Sequence, residues 1–250
     1  MLKYPISTLL YLAKINIKDK IQDALKLKDN LDIRLTVTVK DKDGKIIKQH
    51  KQHSHSFVSN FLAIIASLMA NSYGTHNNYY FYQSTSGTWW SFTYNNVNTG
   101  VTDFTTTLTI LDSANDSTYG IVVGTGTAPP KPTDYNLESI IQNGTGSGQL
   151  IYGAHTLSPA PNPGNGENSS QPSTGVLTPS GNTTSIQISR TFQNQSGASI
   201  TVSETGIIAK NLAYEATAVY VLIIHDLLSS PITIPNGGVM AITYTISVTT

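Results

Sequence analysis

Cysteine is absent from this chain of 250 residues. That excludes disulfide staples, thiolate metal sites and thiol nucleophiles, and it leaves the redox compartment open. Charge is scarce as well. Asp, Glu, Lys and Arg make up 12% of the chain, about half of the ~25% usual in soluble domains. A surface so poor in ion pairs is solvated by hydroxyls and amides, and it suits close packing between subunits. Long apolar runs are missing too. The nearest, Phe57 to Ala70, is broken by Ser59, Asn60 and Ser67, so it falls short of the ~20 apolar residues a membrane-crossing helix needs. No membrane span is expected. The short apolar stretch Ile6 to Ala13 is followed by Lys14 and by Lys18-Asp19-Lys20, which is not the layout of a cleaved signal peptide. The expectation is a product made in the cytoplasm and not trimmed.

Thr, Ser, Asn and Gly are abundant, and the 13 Tyr outnumber the 6 Phe and 2 Trp together. This is the profile of many short strands joined by polar turns. Hydrophobic residues at 39% suffice for a core. Net charge is zero but unevenly placed: residues 1–53 hold twelve of the fifteen Lys and Arg against six of the fifteen Asp and Glu. A basic head of this kind meets nucleic acid or an acidic neighbour, or forms a solvated helix face and a Lys-rich hairpin. Alternating Lys and Asp, without an Arg cluster or interleaved aromatics, favours the hairpin.

Residues 1–30 read as a helical arm. Ser7 caps a turn leading through Leu9, Leu10 and Leu12, and Ile17, Ile21, Ala24, Leu25 and Lys28 keep amphipathic-helix spacing. The stripe Leu9, Leu10, Ile17, Ile21 and Leu25 is the expected assembly interface. Residues 31–250 read as one β domain. Leu31, Ile33, Leu35, Val37 and Val39 alternate with polar residues as a half-buried strand, Asp41-Lys42-Asp43-Gly44 turns the chain, and Lys45 to Gln49 returns. Ser56 is expected to cap a largely buried helix, about 56–71. Tyr79, Tyr80, Tyr82, Trp89 and Trp90 gather aromatics in a polar setting, as a surface patch that something else touches. Further strands are expected at Phe104–Leu111, Tyr119–Val123, Gln149–Thr156, Ser185–Phe192, Ser199–Ala209, Ala218–Leu227 and Val239–Thr249, with a projecting Pro/Asn loop at about 157–175. Short strands between Gly, Pro, Asn and Ser clusters predict an antiparallel β-sandwich of jelly-roll style, mainly β, with the N-terminal helical arm and the one further buried helix.

No catalytic constellation is intact. There is no phosphate-binding loop with its Lys, no Gly-x-Ser-x-Gly and no His-Glu-x-x-His. Gly124-Thr125-Gly126 and Gly144 to Gly148 lack dinucleotide spacing and read as turns. His50, His53 and His55 could approach a metal but read better as exposed polar residues at a joint. Asp103, Asp112 and Asp116 read as turn aspartates rather than calcium ligands. His225 and Asp226 are adjacent on a strand, so they face opposite ways and form no acid–base pair. Five Asn-x-Ser/Thr sequons begin at Asn115, Asn143, Asn168, Asn182 and Asn194. No catalytic residue, cofactor or metal is expected, and the chain is not expected to be an enzyme.

Three stretches resemble structural proteins of tailed phages and archaeal viruses. They are Val37 to Lys45 followed by Ser54-His55-Ser56-Phe57-Val58-Ser59-Asn60-Phe61; Ile121-Val122-Val123-Gly124-Thr125-Gly126 with Asp134-Tyr135-Asn136-Leu137; and Ser203-Glu204-Thr205-Gly206-Ile207 with Leu222-Ile223-Ile224-His225-Asp226 and Ser230 to Gly238. The resemblance implies a virion component of the capsid, tail or fibre kind, whose partners are copies of itself and other virion subunits, and whose place is the virion. The rival expectations are a cell-surface filament subunit, in which the strand Leu31 to Val39 completes a neighbour's sheet, and a carbohydrate-binding adhesin using the aromatic patch.

Overall fold

The computed structural model describes residues 31–54, 56–69, 81–91, 109–159, 177, 179–212 and 218–250. The arm 1–30, with Leu9, Leu10, Ile17, Ile21 and Leu25, lies outside the described residues, as do Tyr79 and Tyr80 and most of the 157–175 loop.

The chain is mainly β and its strands pair antiparallel. The first strand, β1 (Leu31–Lys40), buries Ile33, Leu35, Val37 and Val39 on one face, as the alternation dictates. Asp41 then accepts the backbone N–H of Asp43 and Lys45 on its Oδ1, Gly44 takes a φ of +81°, and β2 (Ile46–His53) returns alongside. On its other edge β1 pairs with β11 (Val239–Thr249), in a register running from Leu31 opposite Val248 to Lys40 opposite Val239. Both edges of β1 are therefore occupied within the chain, and this strand has none to lend a neighbour. Next come β8 (Thr183–Gln193) and, on its far edge, the short β6 (Ile151–Tyr152) and β7 (Thr156–Ser158). The six strands form the larger sheet.

A three-stranded sheet is built from β10 (Ala218–Ile234), β9 (Ile200–Leu212) and β5 (Gly120–Gly124) in that order. One buried cluster draws on both sheets: Leu35, Phe192, Ile242 and Tyr244 from the larger meet Val122, Ile207, Leu222 and Ile232 from the smaller. Each large side chain so enclosed contributes roughly 1.5–3 kcal/mol relative to exposure. A separate hairpin pairs β3 (Phe81–Gln83) with β4 (Trp89–Ser91).

Several elements differ from the sequence expectation for visible reasons. The expected strand Gln149–Thr156 is split: Gly153 still donates to Thr191 of β8, but the N–H of His155 turns to Asp112, leaving two short strands. β10 does not stop at Leu227. It runs 17 residues to Ile234, with a register shift between Leu227 and Ile232 that admits Pro231 without loss of a ladder donor. The helix α1 (Ser59–Met69) begins three residues after Ser56. Ser56, Phe57 and Val58 are spent on β10 instead, with His225 donating to the Ser56 carbonyl, Val58 donating to the Ile223 carbonyl and Phe57 bridging Ile224. Nor is the helix largely buried. Ile64 packs on Val219 and Val221, and Phe57 stacks on Phe61, but Leu62 is 66% and Ile65 37% exposed. The expected strand Phe104–Leu111 is described only from Thr109, which bridges Lys210. Leu157, expected to open the projecting loop, sits in β7 opposite Ile188.

Candidate functional site

The polar residues that the strands bury converge at three places. At the first, β9 carries Glu204 and β10 carries His225 into one enclosed space. Glu204 Oε2 lies 3.0 Å from His225 Nε2, and Oδ2 of Asp134 lies 2.8 Å from His225 Nδ1. Both ring nitrogens face carboxylate oxygens, so both carry hydrogen and the ring is an imidazolium. Burial disfavours that charge, yet the hydrogen bonds to Glu204 and Asp134 outweigh it and raise the His225 pKa above its ordinary value. Burial likewise acts to raise the Glu204 carboxyl. Hydrogen bonds from His225 and from the backbone N–H of Ser139, Glu138 and Gly126 overcome it and hold Glu204 below the usual carboxylate range.

This constellation also explains Gly124-Thr125-Gly126. A Cβ on Gly124 would strike the Glu204 carboxylate, and one on Gly126 would come within 2.5 Å of both Glu204 and Glu138. The glycines are what let the chain wrap around Glu204. Chemically, an imidazolium with both N–H groups committed cannot accept a proton, and among the described residues the carboxylates of Glu204 and Asp134 are what bond its ring nitrogens. The arrangement suits holding a loop against the small sheet.

The second place is on the other face of β10, where Asp226 points away from His225, as expected for neighbours on a strand. Its Oδ2 accepts from Ser54 Oγ at 2.7 Å and from Tyr244 Oη at 3.1 Å. Tyr244 belongs to β11, so this bond ties the two sheets together through the core. Burial raises the Asp226 pKa despite the hydrogen bonds from Ser54 and Tyr244, and burial raises that of Tyr244 well above its ordinary value.

The third place is organised by Arg190 of β8, whose side chain is fully enclosed. Its guanidinium donates to five carbonyls, those of Gly153, Tyr119, Ile121, Ser113 and Asp116, and lies 4.7 Å from the centre of the Tyr152 ring. Asp112 Oδ2 sits 3.5 Å from it without a hydrogen bond. Burial raises the Asp112 pKa, and burial with the nearby Asp112 pushes Tyr119 up to about 12. His155 closes the cluster. It accepts the N–H of Ile121 on Nε2 at 2.7 Å, and its Nδ1 faces both the backbone N–H and the carbonyl of Asp112, at 3.1 and 3.2 Å. Burial, then the positive charge of Arg190, lowers its pKa to about 4.

The residues singled out from sequence fare unevenly. Of the aromatic patch, Trp89 stands 64% exposed on β4, and Tyr82 and Trp90 are cross-strand partners in the β3–β4 hairpin. His50 and His53 lie three apart on β2 and so on opposite faces, bonded to Gln52 and Asp32 respectively; His55 lies outside the described residues. Asp116 does form a turn, accepting from Thr118 N and Oγ1, whereas Asp112 is buried. Arg190 and Glu204, both buried, and the partly exposed Asp134 were not singled out as site residues. A signal for two of them was present: in a chain this poor in charge, a lone Glu or Arg inside a β-branched run has to be paired when buried.

No family model, curated protein or solved structure matches this chain.

Proposed function

We propose that this chain is a structural subunit of a virion, of the capsid, tail or fibre kind, which acts by packing against copies of itself and other virion subunits and performs no catalysis. One observation carries the reading. The three stretches that resemble virion proteins are far apart in sequence, yet their polar residues meet: Gly126, Asp134, Glu204 and His225 form one cluster, and Ser54, Ser56 and Phe57 dock on the adjoining residues of β10. The resemblance thus follows a single packed unit rather than scattered turns.

On this reading the two sheets close as a sandwich of jelly-roll style, and residues 1–30 are an arm that buries Leu9, Leu10, Ile17, Ile21 and Leu25 on a neighbour. Support comes from α1, which carries no charged residue yet leaves Leu62 and Ile65 exposed. A helix apolar on both sides is ordinarily covered on both sides.

Negative-stain electron microscopy and sedimentation at rising concentration test the proposal. The full chain is expected to form particles or filaments, and a chain lacking residues 1–28 to stay folded but unassembled. Assembly unchanged by the deletion removes the arm; a lone monomer at millimolar concentration removes the whole reading.

A further inference from the structure

The turn Ser84–Thr88 that joins β3 to β4 and the segment 131–137 face one another across an open cleft of about 500 Å³. Its walls are held in register. Asn136 donates its Nδ2 to the Thr85 carbonyl at 3.4 Å, and the Tyr135 ring rests against Gly87, 3.8 Å from where a Cβ there would stand. Thr85, Ser86, Lys131, Asp134 and Tyr135 line the space.

Asp134 is the unusual member. Its Oδ2 is fixed from behind by His225 Nδ1 and by the backbone N–H of Lys131, each at 2.8 Å, and His225 is fixed in turn by Glu204. The side chain of Asp134 is nevertheless 22% exposed. A buried chain of three ionisable groups therefore ends in a rigid carboxylate that reaches solvent at the cleft. Holding a recognition group in one orientation by a second layer of hydrogen bonds is how binding sites reduce the ordering cost of association.

The lining selects the ligand class. An acidic ligand meets Asp134, and a simple cation meets Lys131. A neutral ligand with adjacent hydroxyls satisfies both, since hydroxyls donate to the carboxylate and accept from the ammonium, Ser86 and Thr85. Tyr135, 41% exposed, offers an aromatic surface to a ring's C–H face. The geometry points to a cleft that binds a neutral pyranose, with Asp134 and Lys131 as its polar contacts and Tyr135 as its platform. This site goes beyond the assembly role and does not depend on it.

Saturation-transfer NMR on the full chain, with the methyl glycosides of glucose, galactose, mannose and N-acetylglucosamine as probes, tests the proposal. At least one is expected to bind, with Tyr135→Ala and Lys131→Ala each weakening it about tenfold or more. Trp89→Ala, outside the cleft, is expected to bind as the parent does, and all three variants to melt as the parent does. Absence of binding for all four glycosides up to roughly 20 mM overturns the proposal. So does undiminished binding by Tyr135→Ala, or loss in Trp89→Ala alone, which would place the sugar on the hairpin.

Discussion

His225 and Glu204 stand 3.0 Å apart with side chains only 3% and 1% exposed, on neighbouring strands of the smaller sheet. The pair is tolerable in so dry a place because every side of it is answered. Three backbone N–H groups point at the carboxylate, and a second carboxylate takes the far side of the ring. Isolated ions in such surroundings are strongly disfavoured.

Removing one partner should therefore cost more than an ordinary hydrogen bond. Glu204→Ala leaves a buried imidazolium and three backbone donors unanswered, and about 3–5 kcal/mol of stability is expected to go. Glu204→Gln keeps an acceptor for part of the set and should lose less. Urea denaturation with a common m-value measures both, and a Glu204→Ala loss below about 1 kcal/mol would show that the cluster is not a strut.

The two buried histidines should give opposite pH signatures. His225 has a raised folded-state pKa, so its contribution is complete below the ordinary value of 6.5 and is lost as pH climbs through the folded value. His155 is depressed to about 4, so its contribution is complete above 6.5 and is lost as pH falls from 6.5 toward 4. The slope in that window is on the order of 1.4 kcal/mol per pH unit. Parent-minus-variant stabilities isolate each group. The gap to His155→Gln should shrink on acidification, the gap to His225→Gln on alkalinisation, and reversed trends would contradict the charge states assigned to the rings.

Two glycines with nearly equal φ should respond very differently to alanine. Gly44 has φ +81° with nothing within 4 Å of an added Cβ, so Gly44→Ala should cost only the left-handed strain, about 1–2 kcal/mol. Gly120 has φ +78°, and its added Cβ would overlap the His155 ring. Gly120→Ala must expel that ring and the Ile121 bond with it. Thermal melts should separate the two variants by several degrees.

Tyr244→Phe removes the hydroxyl that links β11 to Asp226 and leaves Asp226 with fewer donors inside the core. A loss of about 1–3 kcal/mol is expected. Because Ser54 bonds the same oxygen, Ser54→Ala combined with Tyr244→Phe should cost more than the two singles summed, a coupling that a double-mutant cycle reads directly.

The strands were legible wherever one face is dry and the other wet. Leu31 to Lys40 alternates without fault, and β8, β9 and β11 fall within a few residues of their expected limits. Expectation failed where tertiary hydrogen bonds override local preference. Ser56 has the chemistry of a helix cap, but its carbonyl is claimed by His225 across the sheet. Pro231 looks like a strand terminator, yet a bulge absorbs it. The clusters were less legible still. The adjacency of His225 and Asp226 told that they diverge, but not that Glu204, 21 residues earlier, and Asp134, 91 residues earlier, would meet the imidazole. Such partners are chosen by strand register and loop path, which residue spacing does not encode.

The pairing of β1 with β11 sets a timetable. A sheet whose interior seam joins residues 31–40 to 239–248 has to wait, during synthesis, until nearly every other strand has left the ribosome. Until then β1 keeps one backbone edge unpaired, beside the apolar face that carries Ile33, Leu35, Val37 and Val39.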